Sequence, residues 1–106
     1  MRMMMSMSIP VEAGNRAACS GAFGPPLQKL LDDLKPEAAF FTAQPNGQRG
    51  GFIVFDLKDV SDIPGIAEPF FLLYDASVSF TPVMTPADLA KAGPGIEKAV
   101  KAYGSH

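Results

Sequence analysis

The segment that most constrains the fold is residues 37–56, in which an Asn46-Gly47 pair separates two stretches of strand-forming residues. Asn-Gly is the strongest short-range signal for a β-hairpin, because a type I′ turn needs positive φ at both central residues. A two-residue loop at this pair places Phe40 opposite Ile53 on the neighbouring strand. The sequence therefore predicts two antiparallel strands joined by a tight turn.

Alternation along these two strands assigns their side chains to two faces, and both faces are apolar near the strand centres. One predicted face contains Phe40, Thr42, Gln44, Arg49, Gly51, Ile53 and Phe55, and the other contains Ala39, Phe41, Ala43, Gly50, Phe52 and Val54. In a two-layer domain, helices cover only one face of the sheet. The second apolar face must therefore meet a partner, a ligand or further chain.

The length of 106 residues predicts one domain over 1–106, able to bury roughly two-thirds of its unfolded surface. A hydrophobic content of 47% with 19% charged residues is typical of globular proteins. The net charge of −2, without a cluster of Lys or Arg, disfavours nucleic acid and anionic membranes as partners. No apolar run approaches the roughly 18–20 residues of a transmembrane helix.

The single cysteine, Cys19, excludes an intrachain disulfide and favours a reducing compartment. Its alanine neighbours favour a small buried residue, and a reactive thiol is the less favoured alternative. The first residues make a poor signal peptide, because their apolar run is short and broken by serines. A cytoplasmic protein is therefore expected. His106, which could be the remnant of an expression tag, is given no functional weight.

Hydrophobic periodicity, together with the positions of proline and glycine, predicts the remaining helices and strands. They are a strand over 2–9, a helix from Pro25 or Pro26 to Lys35-Pro36, a helix over 63–74 that Pro69 should kink or end early, a strand over 77–84, a short helix from Pro86, and a final helix over 96–103. Residues 11–24 carry a weaker helical pattern over 12–20, because three glycines interrupt it.

This order is the β-α-β-β-α-β pattern of ferredoxin-like α+β domains, with a four-stranded antiparallel core over about 2–84 and a helical tail over about 85–103. The pattern places the first and third strands in the sheet centre. The third strand, GGFIVFD, has the continuous apolar run expected there. Pro82 in the fourth strand predicts a sheet edge.

The hairpin, the EPFF helix and the fourth strand leading into FTPVMTPADL resemble the dimeric α+β barrel superfamily, and in particular small bacterial members of unassigned function. The resemblance implies a homodimer in which two sheets pack face to face. The superfamily also contains muconolactone isomerases, cofactor-free monooxygenases and chlorite-dismutase-like haem proteins, so membership does not determine activity. A haem branch implies an internal histidine, and none precedes His106. No cofactor is expected.

Two other site types find little support. Met3, Met5 and Met7 share one face of the first strand and could suit Cu(I), but no nearby Cys or His supports a metal site, so core packing is the favoured interpretation. A Ser/His/Asp constellation and a phosphate-binding glycine loop are both missing from the sequence. A polar strip of Ser6, Ser77, Ser79 and Thr81, where the first and fourth strands adjoin, could contact a ligand or be plain surface.

The candidate ligand-binding residues lie around the hairpin. Arg49, Gln44 and Thr42 could form the polar end of a cleft that holds a carboxylate, although a solvated hairpin tip is the favoured alternative. Phe40 and Phe80 are the apolar candidates for the same site.

Tyr74 and Asp75 are the candidate catalytic residues, because they lie at the end of a helix where pocket rims are common. Asp75 could act as a base if apolar neighbours raised its pKa. A turn-forming role at the helix end is the alternative.

Two functional hypotheses remain open at this point. In the first, a homodimer holds a small, partly apolar organic molecule between sheet and helices and converts it without a cofactor, as an isomerase or monooxygenase. In the second, the protein is a non-catalytic dimerisation or assembly module, and the second apolar face and the tail serve only association.

Overall fold

The protein's architecture is given by a computed structural model that describes residues 1–105, so the expectation for His106 lies outside the described residues. In chain order the elements are β1 (Arg2–Ile9), α1 (Val11–Ser20), α2 (Pro25–Leu34), β2 (Ala38–Ala43), β3 (Arg49–Asp56), a 3-10 turn (Val60–Asp62), α3 (Ile63–Tyr74), β4 (Ser77–Pro82), α4 (Pro86–Lys91) and α5 (Gly93–Tyr103).

The four strands form one antiparallel sheet with the order β2-β3-β1-β4. This order confirms the predicted ferredoxin-like α+β fold, with β1 and β3 in the centre and Pro82 on an edge strand. The helix weakly predicted before Gly21 is α1, so α1 and α2 together connect β1 to β2.

The hydrophobic core lies between one sheet face, named here the inner face, and the helices. The inner face contributes Met3, Met5, Met7, Ile9, Ile53 and Phe55, each at most 4% exposed. The helices contribute Ala13, Ala17, Phe70 and Tyr74 to the same cluster. Full burial of one such large side chain contributes about 1.5–3 kcal/mol. The predicted role of the methionines as core residues is therefore confirmed.

Cys19 is exposed rather than buried. Because Ala13 and Ala17 are the α1 side chains that pack into the core, Cys19 lies on the solvent side of that helix. The prediction of a small buried cysteine is wrong.

The hairpin turn differs from the predicted type I′ turn. The Gly47 N–H donates to the Gln44 carbonyl over 2.9 Å, and the Gln44 N–H donates to the Gln48 carbonyl over 2.8 Å. Positive φ occurs at Gly47 (81°) and not at Asn46. The loop is therefore a three-residue type, a turn followed by a left-handed glycine. Pro45 explains the difference, because its fixed φ suits the first central position of a type I turn.

The three-residue loop shifts the strand register by one residue. Phe40 pairs with Phe52 rather than with Ile53. A one-residue shift moves every side chain of one strand to the other face. The predicted grouping of Phe40 and Thr42 with Arg49 and Ile53 is therefore wrong, and both lie on the opposite face.

That opposite face, the outer face, is not covered by the helices of the described chain. Its apolar patch consists of Met4, Phe40, Phe52 and Val54, with Phe40 65% and Phe52 39% exposed. The prediction that helices would leave one apolar face uncovered is confirmed.

Two details of the helices bear on the predictions. Pro69 does not end α3 early, because the helix continues to Tyr74, and the alternative of a kink at Pro69 stays a prediction. Helix α5 begins at Gly93 rather than near residue 96, with Pro94 inside its first turn, where a missing N–H removes no helical hydrogen bond. None of the helices within residues 1–105 combines the length and apolar character that a bilayer crossing requires.

Candidate functional site

A cavity of about 300 Å³ lies on the inner side of the sheet at the hairpin end. This inner cavity is bounded by the ends of β1, β2 and β3, by the connection after α1, and by α2 and α3. Its lining residues are Met7, Ile9, Phe23, Leu27, Phe41, Thr42, Ala43, Arg49, Gly50 and Tyr74. The lining is mainly apolar with one cationic group, a composition typical of small-molecule sites.

Arg49 begins β3, opposite Ile9, and its side chain reaches the rim of the inner cavity. Its Nη1 donates to Asn15 Oδ1 over 3.1 Å, and its guanidinium carbon lies 5.9 Å from the centre of the Phe23 ring. Both contacts hold the guanidinium without neutralising it. Among residues 1–105, no carboxylate forms a salt bridge with Arg49.

Gly14 provides the space that the guanidinium occupies. A Cβ atom at this position would lie only 2.5 Å from Arg49 Nη1. The glycine that weakened the helical prediction for α1 is thus a local requirement of the site. It allows helix and arginine to approach closely.

Tyr74 forms one wall of the inner cavity with its ring. The ring stacks on Phe23 with centroids 5.2 Å apart, and the hydroxyl donates to the Ala22 carbonyl over 2.6 Å. Burial raises the pKa of the Tyr74 hydroxyl above its ordinary value. The phenol therefore stays protonated near neutral pH and links α3 to the turn after α1.

Asp75 caps the end of α3 in the left-handed conformation, with φ of 51°. Its N–H donates to the Phe71 carbonyl, and its carboxylate forms a salt bridge of 3.0 Å with Arg16 Nη2. The alternative of a turn-forming role is confirmed. Asp75 is outside the cavity lining, and its catalytic role stays a prediction.

Gln44 belongs to a different site on the outer face. An open groove of about 440 Å³ is lined there by Ser6, Met7, Ser8, Gln44, Pro45, Asn46, Ser77, Val78 and Ser79. Gln44 Nε2 donates to the Met7 carbonyl over 3.1 Å. The pairs Ser6–Ser79 and Ser8–Ser77 confirm the polar strip between β1 and β4.

The structure brings three of the seven predicted site residues to the lining of the inner cavity, namely Arg49, Tyr74 and Thr42, although by strand register the Thr42 side chain belongs to the outer face. Phe40 lies in the apolar patch of the outer face. Phe80 packs edge-on against Phe55, with ring centroids 6.3 Å apart, as part of the core. The predicted ligand-binding set is thus divided between the two faces by the register shift.

Sequence reasoning missed Gly14, Asn15 and Phe23, which all lie within residues 11–24. The glycine was a usable signal, since a glycine inside a helical pattern often marks a close approach. Within the part of the chain that the structure describes, no group of three or more histidine, cysteine or acidic side chains is placed to hold a metal ion.

Comparisons with known proteins give a likeness of fold. No family model and no curated protein matches the chain. Among solved structures, the 5-chloro-2-hydroxyhydroquinone dehydrochlorinase of Burkholderia phenoliruptrix AC1100, in complex with 2,5-dihydroxybenzoquinone, has a TM-score of 0.61 at 11% identity, over 82% of this chain and 97% of that one. A formyltetrahydrofolate deformylase of Pseudomonas putida KT2440 has a TM-score of 0.48 at 11% identity, over 78% of this chain and 29% of that one.

Proposed function

We propose that the protein is a homodimeric α+β barrel protein whose inner cavity binds a small, planar, partly apolar organic anion. The observation that carries this proposal is the Arg49 guanidinium, which lies at the rim of an apolar cavity and has no carboxylate partner within residues 1–105. An anionic oxygen of a ligand would supply that partner.

The size and lining of the inner cavity support a ligand with one six-membered ring. Its volume is about 300 Å³, and a cavity of about 150 Å³ already holds benzene. The stacked rings of Phe23 and Tyr74 contribute an aromatic wall to the cavity, while the planar Arg49 guanidinium can donate two hydrogen bonds to a carboxylate or an ionised hydroxyl. An aromatic carboxylate or an acidic hydroxyquinone combines these features.

The likeness to the dehydrochlorinase supports the same ligand class. That protein, whose length this chain matches over 97%, was solved with 2,5-dihydroxybenzoquinone, a planar ring with acidic hydroxyl groups. At 11% identity the likeness concerns the fold, so the ligand class is carried by the cavity and the arginine of this chain.

The exposed outer face supports the homodimer. Phe40 and Phe52 form an uncovered apolar patch there, and two such sheets can pack face to face about 10 Å apart. Conversion of the bound molecule without a cofactor, as an isomerase or monooxygenase, is the catalytic extension of this proposal. In that extension Tyr74, which lines the cavity, and Asp75, the next residue, are the candidate catalytic residues.

Calorimetric titration with 2,5-dihydroxybenzoquinone and with benzoate tests the binding proposal. We expect saturable binding of at least one probe, and Arg49→Gln should weaken it at least tenfold because a charge-assisted hydrogen bond is lost. Arg16→Gln is the matched control, since Arg16 pairs with Asp75 outside the cavity. Equal loss of affinity in both variants, or binding that Arg49→Gln leaves unchanged, contradicts the proposal.

Gly14→Ala tests the same site without removing its charge. The new methyl group should displace the guanidinium and reduce probe affinity, while helix propensity keeps or raises stability by up to about 1 kcal/mol. Unchanged affinity for the probe would show that the position of Arg49 does not matter for binding.

A second candidate function is a non-catalytic dimerisation or assembly module, favoured by the amount of exposed apolar surface on the outer face and on α5. This candidate predicts a stable dimer that binds neither probe. The titration and a measurement of solution mass together separate the two.

A further inference from the structure

Residues 85–103, named here the arm, extend away from the sheet and its helices. The chain measures 58 × 29 × 21 Å with a radius of gyration of 17.7 Å, whereas a compact chain of this length has about 13 Å. Helix α5 packs mainly against α4, and every residue from 93 to 105 is exposed. The long dimension of the molecule is therefore largely due to the arm.

The arm carries an apolar stripe on one side. Leu89, Ile96, Val100 and Tyr103 are all exposed, Tyr103 by 86%. Their spacings of seven, four and three residues place them along one helical face. An unpacked helix of 11 residues is marginal in water, so the stripe requires a partner surface.

The first residues of the arm, 85–88, are held at the end of the sheet beside the outer face. Thr85 and Asp88 form a capping box at the start of α4. The same Asp88 forms a salt bridge of 3.4 Å with Arg2, an outer-face residue of β1. Because these contacts hold α4 at the end of the sheet, α5 is directed beyond the chain's own body.

We propose that the arm of each copy docks its apolar stripe against the outer-face apolar patch of a second copy, so that two copies exchange arms. This inference rests on the homodimer of the proposed function and identifies what completes its interface. The exchange is reciprocal, as the two-fold symmetry of most homodimers requires. Each arm then lies at the β2 edge of the other copy and covers Phe40 there, while the two sheets pack against each other through their central strands.

Area favours a second copy as the partner that covers the outer-face apolar patch. From the usual areas of such side chains, the exposed parts of stripe and patch amount to roughly 800 Å², about what each partner contributes to a standard interface.

The charges of the arm are placed so that they do not prevent this pairing. The arm contains three lysines and two acidic residues and so has a net charge of +1. The rest of the chain has a net charge of −3, which gives the chain its total of −2. Lys98 and Lys101 lie on the side of α5 away from the stripe, where they remain solvated. Two copies of net charge −2 repel each other weakly, so the apolar contact must provide the affinity.

Sedimentation equilibrium on full-length chains measures the contribution of the arm. Val100→Asp should raise the dimer dissociation constant at least tenfold, because a carboxylate would have to be buried in the interface. Ala102→Asp introduces the same charge on the other side of α5 and should change the constant less than threefold. Circular dichroism of both variants checks that the fold is retained.

A cross-linking experiment locates the contact. In a Cys19→Ser background, Phe40→Cys chains are mixed with separately purified Val100→Cys chains and treated with a short bismaleimide. Since each chain has one thiol, any linked 40–100 pair joins two copies. We expect at least five times more product than from Leu72→Cys with Val100→Cys, since Leu72 lies on α3.

Three results are decisive. A dimer with the 40–100 link and a Val100→Asp defect establishes the exchange. A dimer without the link, whose affinity Val100→Asp leaves unchanged, overturns the arm exchange and retains sheet packing. A wild-type monomer at micromolar concentration overturns both the exchange and the homodimer, whereas the ligand site is judged separately by the Arg49→Gln titration.

Discussion

The two faces of the sheet are made by the same four strands but have opposite surroundings. On the inner face, Ile53 and Phe55 are at most 1% exposed beneath α1 and α3. On the outer face, Phe40 and Phe52 contact solvent over much of their surface. Phenylalanine is present on both, so the side-chain type alone does not determine burial.

The difference indicates that the inner face determines the stability of the single chain, whereas the outer face is available for association. The inner face holds the chain together by itself, because the helices of the same chain complete its packing. The outer face leaves an apolar patch that monomeric proteins rarely keep exposed. We therefore expect inner-face substitutions to change folding and outer-face substitutions to change assembly.

Phe55→Ala and Phe40→Ala test this division directly and should give the largest difference. Phe55→Ala leaves a cavity in the core and should lower the free energy of unfolding by about 3–5 kcal/mol. Phe40→Ala should cost less than about 1 kcal/mol in the monomer, since its side chain is already largely exposed.

Urea unfolding at two protein concentrations measures both effects. If association covers the outer face, Phe40→Ala also reduces the rise of the wild-type midpoint with concentration. Equal losses for both variants, independent of concentration, would show that Phe40 packs within its own chain and would remove the distinction between the faces.

Tyr74→Phe tests how the helices are held over the inner face. The variant leaves the Ala22 carbonyl without its 2.6 Å donor and should cost about 1–2 kcal/mol. Tyr103→Phe is the matched control, because its ring on α5 is 86% exposed. Thermal unfolding of both variants gives the comparison, and equal midpoints would exclude a role for the Tyr74 hydroxyl in joining α3 to the α1 turn.

The topology could be predicted from sequence because each of its signals is local and strong. The continuous apolar run of GGFIVFD placed β3 in the centre, and Pro82 placed β4 at an edge. Alternation of methionines with small polar residues identified the buried side of β1. These features depend on strand geometry alone, so they can be recognised in the sequence without knowledge of distant contacts.

The register and the site could not be predicted in full, because both depend on competing or distant interactions. Asn46-Gly47 favoured a two-residue turn, but Pro45 favours a turn that begins one residue earlier. The surroundings of Arg49 come from α1 and from Phe23, which lie more than 25 residues away in sequence. Glycines weaken the helical pattern there, although Gly14 is what makes room for the guanidinium.

The turn itself provides a smaller test, which concerns the left-handed conformation of Gly47. Gly47→Ala should cost about 1 kcal/mol, because φ is 81° while the added methyl would meet nothing within 4 Å. Gly65→Ala in α3, equally open but in ordinary helical geometry, should instead stabilise by up to about 1 kcal/mol. Chemical denaturation of the two alanine variants measures the opposite signs, and equal signs would contradict the left-handed turn.

Deletion of Pro45 tests whether the loop length sets the register and therefore the face that Phe40 occupies. The shortened loop contains only Asn46-Gly47, and Gln44 still lies opposite Gln48, so the pairing of Phe40 with Phe52 should be kept. Cross-strand contacts between the two phenylalanine rings by nuclear magnetic resonance check the register. A contact of Phe40 with Ile53 instead would show that the loop does not set the faces.

The smallest effect is expected at the polar border of the outer face, where Asp56 ends β3. The hydrogen bond from Lys58, followed by that from the Met1 amino group, lowers the pKa of Asp56 from 3.8 to about 2. A carboxyl whose pKa is lower in the folded state stabilises the fold above pH 3.8, and this stabilisation is lost as pH falls towards 2. Asp56 is exposed, so solvent screening keeps the contribution small.

Unfolding midpoints measured from pH 5 to pH 2 should therefore fall less steeply for Asp56→Asn than for the wild type. Lys58→Gln removes the largest cause of the lowered pKa and should flatten the same interval in part. Lys29→Gln, which removes a lysine from the exposed side of α2, controls for the loss of one positive charge. Coincident profiles for wild type and Asp56→Asn would mean that the contacts of Asp56 with Lys58 and the Met1 amino group contribute nothing to folding stability.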